Sequence, residues 1–158
     1  QIDANPRHVY DLVNEILIPH IDFKRMSRWV LGKHWRRANN EEKQEFVTEF
    51  RKLIIRTYST ALLEYSSQEI RFLPVRDQSD PNRASVRTEI RPTSGPMIPI
   101  SYDLYRSDIG KWKVYDVSID GISLIANYRS SFGSQIRRPG GLSRVINQMK
   151  SRSQQAKK

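Results

Sequence analysis

Gly110-Lys111-Trp112-Lys113-Val114-Tyr115-Asp116-Val117-Ser118-Ile119-Asp120-Gly121-Ile122-Ser123-Leu124-Ile125-Ala126-Asn127-Tyr128-Arg129-Ser130-Ser131-Phe132 changes its hydrophobic period halfway along. Up to Ile119 the side chains alternate, as a strand requires. Trp112, Val114 and Asp116 point one way, and Lys113, Tyr115, Val117 and Ile119 the other. Asp120-Gly121 turns the chain. Beyond it Ile122, Ile125, Tyr128 or Arg129, and Phe132 recur at helical spacing. A strand therefore feeds a helix through a tight turn, with aromatic residues on both sides of the corner and one acid, Asp116, inside the strand.

Upstream of that corner the pattern is β back to Gln68. Ile70 and Phe72 mark a first strand in Gln68–Val75, and Val86, Thr88 and Ile90 the inward face of a second, Ala84–Arg91. Ile100, Tyr102 and Leu104 share one face of a third, and Trp112–Ile119 is the fourth. Short links between consecutive strands imply an antiparallel meander. Further upstream the period is helical. Asn5-Pro6 opens a helix carrying Val9, Leu12, Val13, Ile16 and Leu17. A short helix with Met26, Trp29 and Val30 follows and ends at Gly32, and Lys33–Ala38 continues as a short helical turn. Asn39 with Glu42 forms a capping box for a long helix whose stripe runs Phe46, Phe50, Leu53, Ile54, Tyr58, Ala61, Leu62 and Tyr65. After the corner, a helix reaches about Ile136. Pro139-Gly140-Gly141 breaks it, and a last amphipathic helix carries Leu142, Val145, Ile146 and Met149 before a polar stretch, 151–158, expected to fray. The fold class is α+β: helices at both ends of the chain packed on a four-stranded twisted antiparallel sheet, one domain over 1–158.

The formal net charge is +10, and it is unevenly placed. No acid follows Asp120, yet Arg129, Arg137, Arg138, Arg144, Lys150, Arg152, Lys157 and Lys158 do, and Lys24, Arg25, Arg28, Lys33, Arg36 and Arg37 form a second basic cluster. Nucleic acid, an anionic membrane surface or an acidic protein are the partner classes this favours, against a basic face that serves only solubility. Nucleic acid is the weaker reading, because the aromatics lie on apolar stripes and do not interleave with cations on exposed strands. The chain contains no cysteine, which excludes disulfides and thiol chemistry and fits an oxidising compartment. It starts at Gln1 without Met, so removal of a signal peptide is the expectation.

Nothing in the pattern assembles a catalytic centre. His8, His20 and His34 lack metal-ligand spacing, so no metal is expected. Gly121-Ile122-Ser123-Leu124-Ile125 has half of a nucleophile elbow and lacks the second glycine, and Ser123 is better placed as a helix N-cap. Asp116 is read as a structural acid, with Arg28 or Arg129 as its expected partner. The aliphatic and aromatic surface of the long helix, the inward sheet face and the Ile122–Phe132 helix serves either a filled core or an apolar ligand, and periodicity does not separate the two.

Several motifs go further than composition. Ile21-Asp22-Phe23 with Met26-Ser27-Arg28-Trp29-Val30-Leu31-Gly32-Lys33-His34-Trp35-Arg36, then Phe46 and Phe50, then Arg56-Thr57-Tyr58, resemble in order the signature of the MlaC family, the toluene-tolerance auxiliary proteins. Trp112–Val117, Asp120–Leu124, Asn127-Tyr128-Arg129 and Phe132 continue the resemblance. It departs at Asn39-Asn40, where the family commonly has Ala-Thr. The resemblance implies a non-enzymatic periplasmic carrier that shuttles glycerophospholipids between the inner and outer membranes and so maintains outer-membrane lipid asymmetry. It implies an ATP-driven inner-membrane transporter ring and an outer-membrane lipoprotein–porin complex as partners, transient membrane contact, no nucleic acid, and no cofactor beyond the lipid cargo. Acyl chains would lie in an apolar cavity between helices and sheet. Expected lining residues are Val30, Leu31, Phe50, Ile54, Tyr58 and Leu62 from the helices and Val86, Ile90, Ile100, Tyr102, Leu104, Tyr115 and Val117 from the sheet. Ile125, Tyr128 and Phe132 would close one end. Arg28 or Arg129 would meet the phosphate. A basic nucleic-acid-binding or protein-interaction module without a lipid is the alternative.

Overall fold

Helix boundaries fall where backbone chemistry puts them. In the computed structural model, which describes residues 11, 15, 18–65, 69–75, 79–92 and 94–156, α1 spans Phe23–Leu31 and buries Phe23, Met26, Ser27, Val30 and Leu31 along one face. Gly32 then takes φ +55°, a left-handed angle that a side chain resists, and a second short helix, α2 (Lys33–Arg37), starts directly after it. The capping box at Asn39 is formed in both directions. Glu42 N–H donates to Asn39 Oδ1 at 2.8 Å, and Asn39 N–H donates to the Glu42 carboxylate at 3.2 Å. That cap opens the long helix α3, Asn40–Tyr65. The helix expected from Asn5 to Leu17 falls almost wholly outside the described residues.

Among the described residues the sheet has five strands where four were expected. They run β1 (Glu69–Phe72), β2 (Arg83–Arg91), β3 (Ile98–Arg106), β4 (Trp112–Ile119) and β5 (Ile122–Ser123), paired in sequence order and all antiparallel. The added strand lies where the helix was expected to begin. Asp120 and Gly121 have φ of 52° and 82°, the signs of the tight turn that closes a two-residue hairpin. Ile119 pairs with Ile122 across it, and the helix α4 starts only at Leu124, running to Ile136. The final helix, α5 (Gly141–Ala156), extends into the stretch expected to fray, with Ser153 buried.

Strict alternation along β4 is also corrected. Asp103 pairs with Asp116, but Leu104 pairs with Val114, so Tyr115 is an extra residue in a β-bulge. Asp103 and Leu104 face opposite ways, and directly opposed residues share a face. Val114 and Asp116 therefore lie on opposite faces, not on one. At the same end of β4, Ile21 bridges to Val114 in parallel, Asp22 N–H donates to the Val114 carbonyl at 2.9 Å, and Lys113 Nζ donates to the Pro19 carbonyl at 2.5 Å. Tyr105 completes the tie by donating its hydroxyl to Asp22. β4 is thus flanked by β3 along its length on one side, and on the other by Ile21–Asp22 at one end and β5 at the other.

Contacts sort the chain into two compact units. One comprises Gln1–Asp22 and Tyr58–Leu124, which includes the sheet. The other comprises Phe23–Thr57 and Ile125–Lys158 and is helical. The core of the helical unit includes Phe46, Phe50, Met26, Val30, Val145 and Ile146, all almost wholly shielded from water. Lys150 on α5 pairs with Glu45 on α3 at 3.1 Å, and Arg144 donates to the Gln135 carbonyl near the end of α4 at 2.7 Å. Among the described residues no helix is long and apolar enough to cross a membrane.

Candidate functional site

Three surfaces hold the residues singled out by sequence. The first is one face of the sheet. Val86, Tyr102 and Val117 stand opposite one another across β2, β3 and β4. Ile70, Ile90 and Ile98 make a second rung, Thr88, Ile100 and Ile119 a third, and Ala84, Leu104 and Val114 a fourth. The face is apolar apart from Thr88 and Tyr102. Thr88 donates to the Ile100 carbonyl at 2.9 Å. Burial pushes the Tyr102 hydroxyl above its ordinary pKa, partly offset by its hydrogen bond with the Thr88 side chain. The wall is thus apolar with its hydroxyls already engaged. Tyr115, the bulge residue, stands apart from that set: its ring packs 6.2 Å from Tyr105, which shares the face of Asp103 and Asp116.

The second surface is a cluster of four rings in the helical unit. Phe46 stacks on Phe50 with centroids 5.6 Å apart, and Phe132 meets Phe46 edge-on at 5.4 Å. Tyr128 meets Phe50 edge-on at 5.4 Å and stacks on Phe132 at 5.8 Å. Edge-to-face and offset geometries of this kind contribute about 0.5–1.5 kcal/mol per pair beyond area burial. Phe50, Tyr128 and Phe132 were expected together. Phe46, which joins them, was absent from that set although it shares their stripe. Ile54 is buried one helical turn beyond Phe50, while Tyr58 and Ile125 are half-buried. The side chain of Leu62 falls outside the described residues.

The third surface is a basic cleft of about 980 Å³ in the helical unit, lined by residues 28–36 of α1 and α2, Lys43 of α3, and Arg129, Ser130, Gly133 and Arg137 of or beside α4. Val30 and Leu31 reach its wall while remaining almost wholly buried. Arg28 and Arg129 are brought together here. A β-carbon on Gly32 would lie 3.2 Å from the Arg129 guanidinium, so the glycine makes room for it. Lys43 Nζ lies 5.3 Å from the centre of the Trp35 ring, a cation–π contact. Burial, then the positive charges of Lys33, Arg37 and Arg137, hold the His34 imidazole below its ordinary pKa. Sequence showed the two basic runs. Their convergence on one cleft has no local signal, since it depends on how α4 is placed against α1.

Asp116 sits in the sheet unit. One carboxylate oxygen accepts from the Val117 N–H at 2.9 Å and the other from the Ser123 hydroxyl at 2.5 Å. Ser123 immediately precedes α4, the expected cap position, and donates its hydroxyl proton to this acid.

The family model described as "MlaC protein" matches residues 1–151. The chain is 33% identical over 141 residues to the toluene tolerance protein ttg2D of Pseudomonas putida, covering 89% of this chain and 65% of that protein. It is 28% identical over 127 residues to the intermembrane phospholipid transport system binding protein MlaC of Haemophilus influenzae, covering 79% of this chain and 59% of that one. The chain therefore spans under two thirds of the length of both curated relatives. A solved phospholipid-binding protein from Ralstonia solanacearum, in complex with a phospholipid, superposes with a TM-score of 0.86 at 31% identity, covering 98% of this chain and 85% of its own. Matched by the family model over residues 1–151, almost from end to end, the chain belongs to the MlaC family.

Proposed function

We propose that this protein is a periplasmic phospholipid carrier that shuttles glycerophospholipids between the inner and outer membranes, with acyl chains held in an apolar cavity. The observation that carries the reading is the likeness to the Ralstonia protein, which was solved with a phospholipid bound, across 98% of this chain. The apolar face built from Val86, Ile90, Ile100, Leu104 and Val117, and the helix-borne Ile54, Phe50, Tyr128 and Phe132, supply side chains suited to acyl contact. Val30, Leu31, Tyr58, Leu62, Tyr102 and Ile125 complete the proposed lining, from which the β-bulge removes Tyr115, and Arg28 or Arg129 is the proposed phosphate contact. The partners are the ATP-driven inner-membrane transporter ring and the outer-membrane lipoprotein–porin complex.

The energetics suit a carrier. Removing an acyl chain from water contributes about 0.8 kcal/mol per methylene, or roughly 12 kcal/mol for a chain of about fifteen. A lipid arrives from a bilayer instead of from water, so most of that gain cancels and the cavity's net preference is small. Small differences made by partner contacts then decide loading and release. Such a cavity needs apolar bulk and few polar anchors.

The test is extraction of the purified protein into organic solvent followed by mass spectrometry. Phospholipid at a fixed ratio to protein is expected. A protein that is lipid-free and binds DNA with a steep salt dependence would instead mark a nucleic-acid-binding module. Ile54→Trp, checked for retained fold by circular dichroism, is expected to abolish lipid loading.

A further inference from the structure

The cleft in the helical unit carries more positive charge than one phosphate can use. Arg28, Lys33, Arg36, Lys43, Arg129 and Arg137 line it, and no acid does. Cations gathered without an acid in the wall repel one another and raise the local potential, which leaves them for an anion outside the chain. A single diester phosphate neutralises one of them. On α1, moreover, the buried face is Phe23, Met26, Val30 and Leu31, while Lys24, Arg28 and Trp29 are exposed, the indole by 50%. A tryptophan left half in water beside arginine and lysine is suited to a headgroup layer, where the ring meets the acyl boundary and the cations meet phosphates.

We propose that the cleft bounded by α1, α2 and α4 docks the protein on the phosphate headgroups of an anionic bilayer, with Trp29 entering the headgroup layer. The proposal rests on the carrier reading, since a phospholipid carrier must come to a bilayer or to proteins embedded in one. The rival occupant is an acidic segment of a partner protein. Lys33 and Lys43 in the wall favour the bilayer. Lysine is depleted at protein interfaces, whereas clustered lysine and arginine read headgroup charge without demanding a fixed geometry.

Vesicle sedimentation of the full chain tests this, using phosphatidylcholine alone or mixed with phosphatidylglycerol, at physiological and at high salt. Binding is expected to the mixed vesicles at physiological salt only. Each cation is worth about fivefold in affinity near such a surface. The triple variant Lys33→Glu, Arg36→Glu, Arg137→Glu should therefore weaken binding by at least about 100-fold, with its thermal melt and co-purifying lipid unchanged. All three side chains are exposed. Independently, mixed vesicles should shift the tryptophan emission to shorter wavelength in the wild type, and by much less in Trp29→Phe, which keeps Trp35 in the cleft. Wild type that ignores anionic vesicles, or a triple variant that binds as well as wild type, overturns the proposal. So does a polyglutamate peptide that binds this cleft while vesicles do not, which assigns it to an acidic protein. Lipid-loaded protein that ignores vesicles sinks the docking alone. Lipid-free protein that still binds them sinks the carrier reading and leaves the docking in place.

Discussion

A methyl group at Gly32 would have to hold a φ of +55° and meet the Arg129 guanidinium at 3.2 Å. Gly32→Ala is therefore expected to destabilise the fold by about 1–3 kcal/mol from the backbone conformation alone, φ +55° with ψ −122°, read as a lower Tm by circular dichroism. Adding Arg129→Ala should recover the steric part and leave the backbone part. His34, in the same cleft, gives a pH dependence. Its folded pKa lies below the ordinary 6.5, because burial and neighbouring cations disfavour the charged ring. The unfolded chain then takes up a proton first as pH falls. Stability is expected to be full above about 6.5, to decline as pH drops from there through the folded value, and to flatten in that window in His34→Gln. Melting curves from pH 7.5 to about 5 check this. Gly32 as a helix stop was legible from its residue type. Its second role was not, because Arg129 is distant in the chain and only packing brings it near.

At the scale of elements, the meander and the helix order follow from periodicity, whereas the bulge and the short strand do not. A bulge is fixed by pairing with β3, and Lys113 to Ile119 alternates well enough to hide it. β5 is only Ile122–Ser123, too short to show a period. Its signal was nonetheless present: Asp-Gly between two isoleucines is a strong hairpin mark, and reading it only as a bend moved the helix start by one or two residues, to Ile122 or Ser123. The consequence of that hairpin is chemical. It returns the chain so that Ser123 reaches Asp116, satisfying a carboxylate that is otherwise nearly shielded from water. Asp116→Ala leaves the Val117 N–H and the Ser123 hydroxyl without this acceptor, and a loss of about 1–3 kcal/mol is expected by urea unfolding. In the helical unit, Phe46→Ala opens a hole among four rings and should cost about 3–5 kcal/mol by the same measurement. Periodicity placed Phe46 on the right stripe. It held no information on which rings touch.

For the whole molecule, part of the excess of +10 gathers in one cleft, where members of two distant basic runs meet. The excess itself was legible from the sequence, and the place where it gathers was not. The motifs carried the family, because they are short-range patterns in a fixed order, and periodicity carried the α+β class. A cavity is a property of what side chains fail to fill, and no stripe of apolar residues records that.

The division of the chain into interleaved units bears on how it folds. The sheet itself comes from one stretch, 69–123, and its strands pair with their sequence neighbours, so it can form from hairpins at little loop-closure cost. The helical unit is split: Phe46 and Phe50 are made long before Tyr128 and Phe132, which complete their cluster. During synthesis the aromatic half-cluster waits exposed for its partners. A chain ending at Leu124 is accordingly expected to aggregate, whereas one reaching Ala156 should not, by light scattering after dilution from urea.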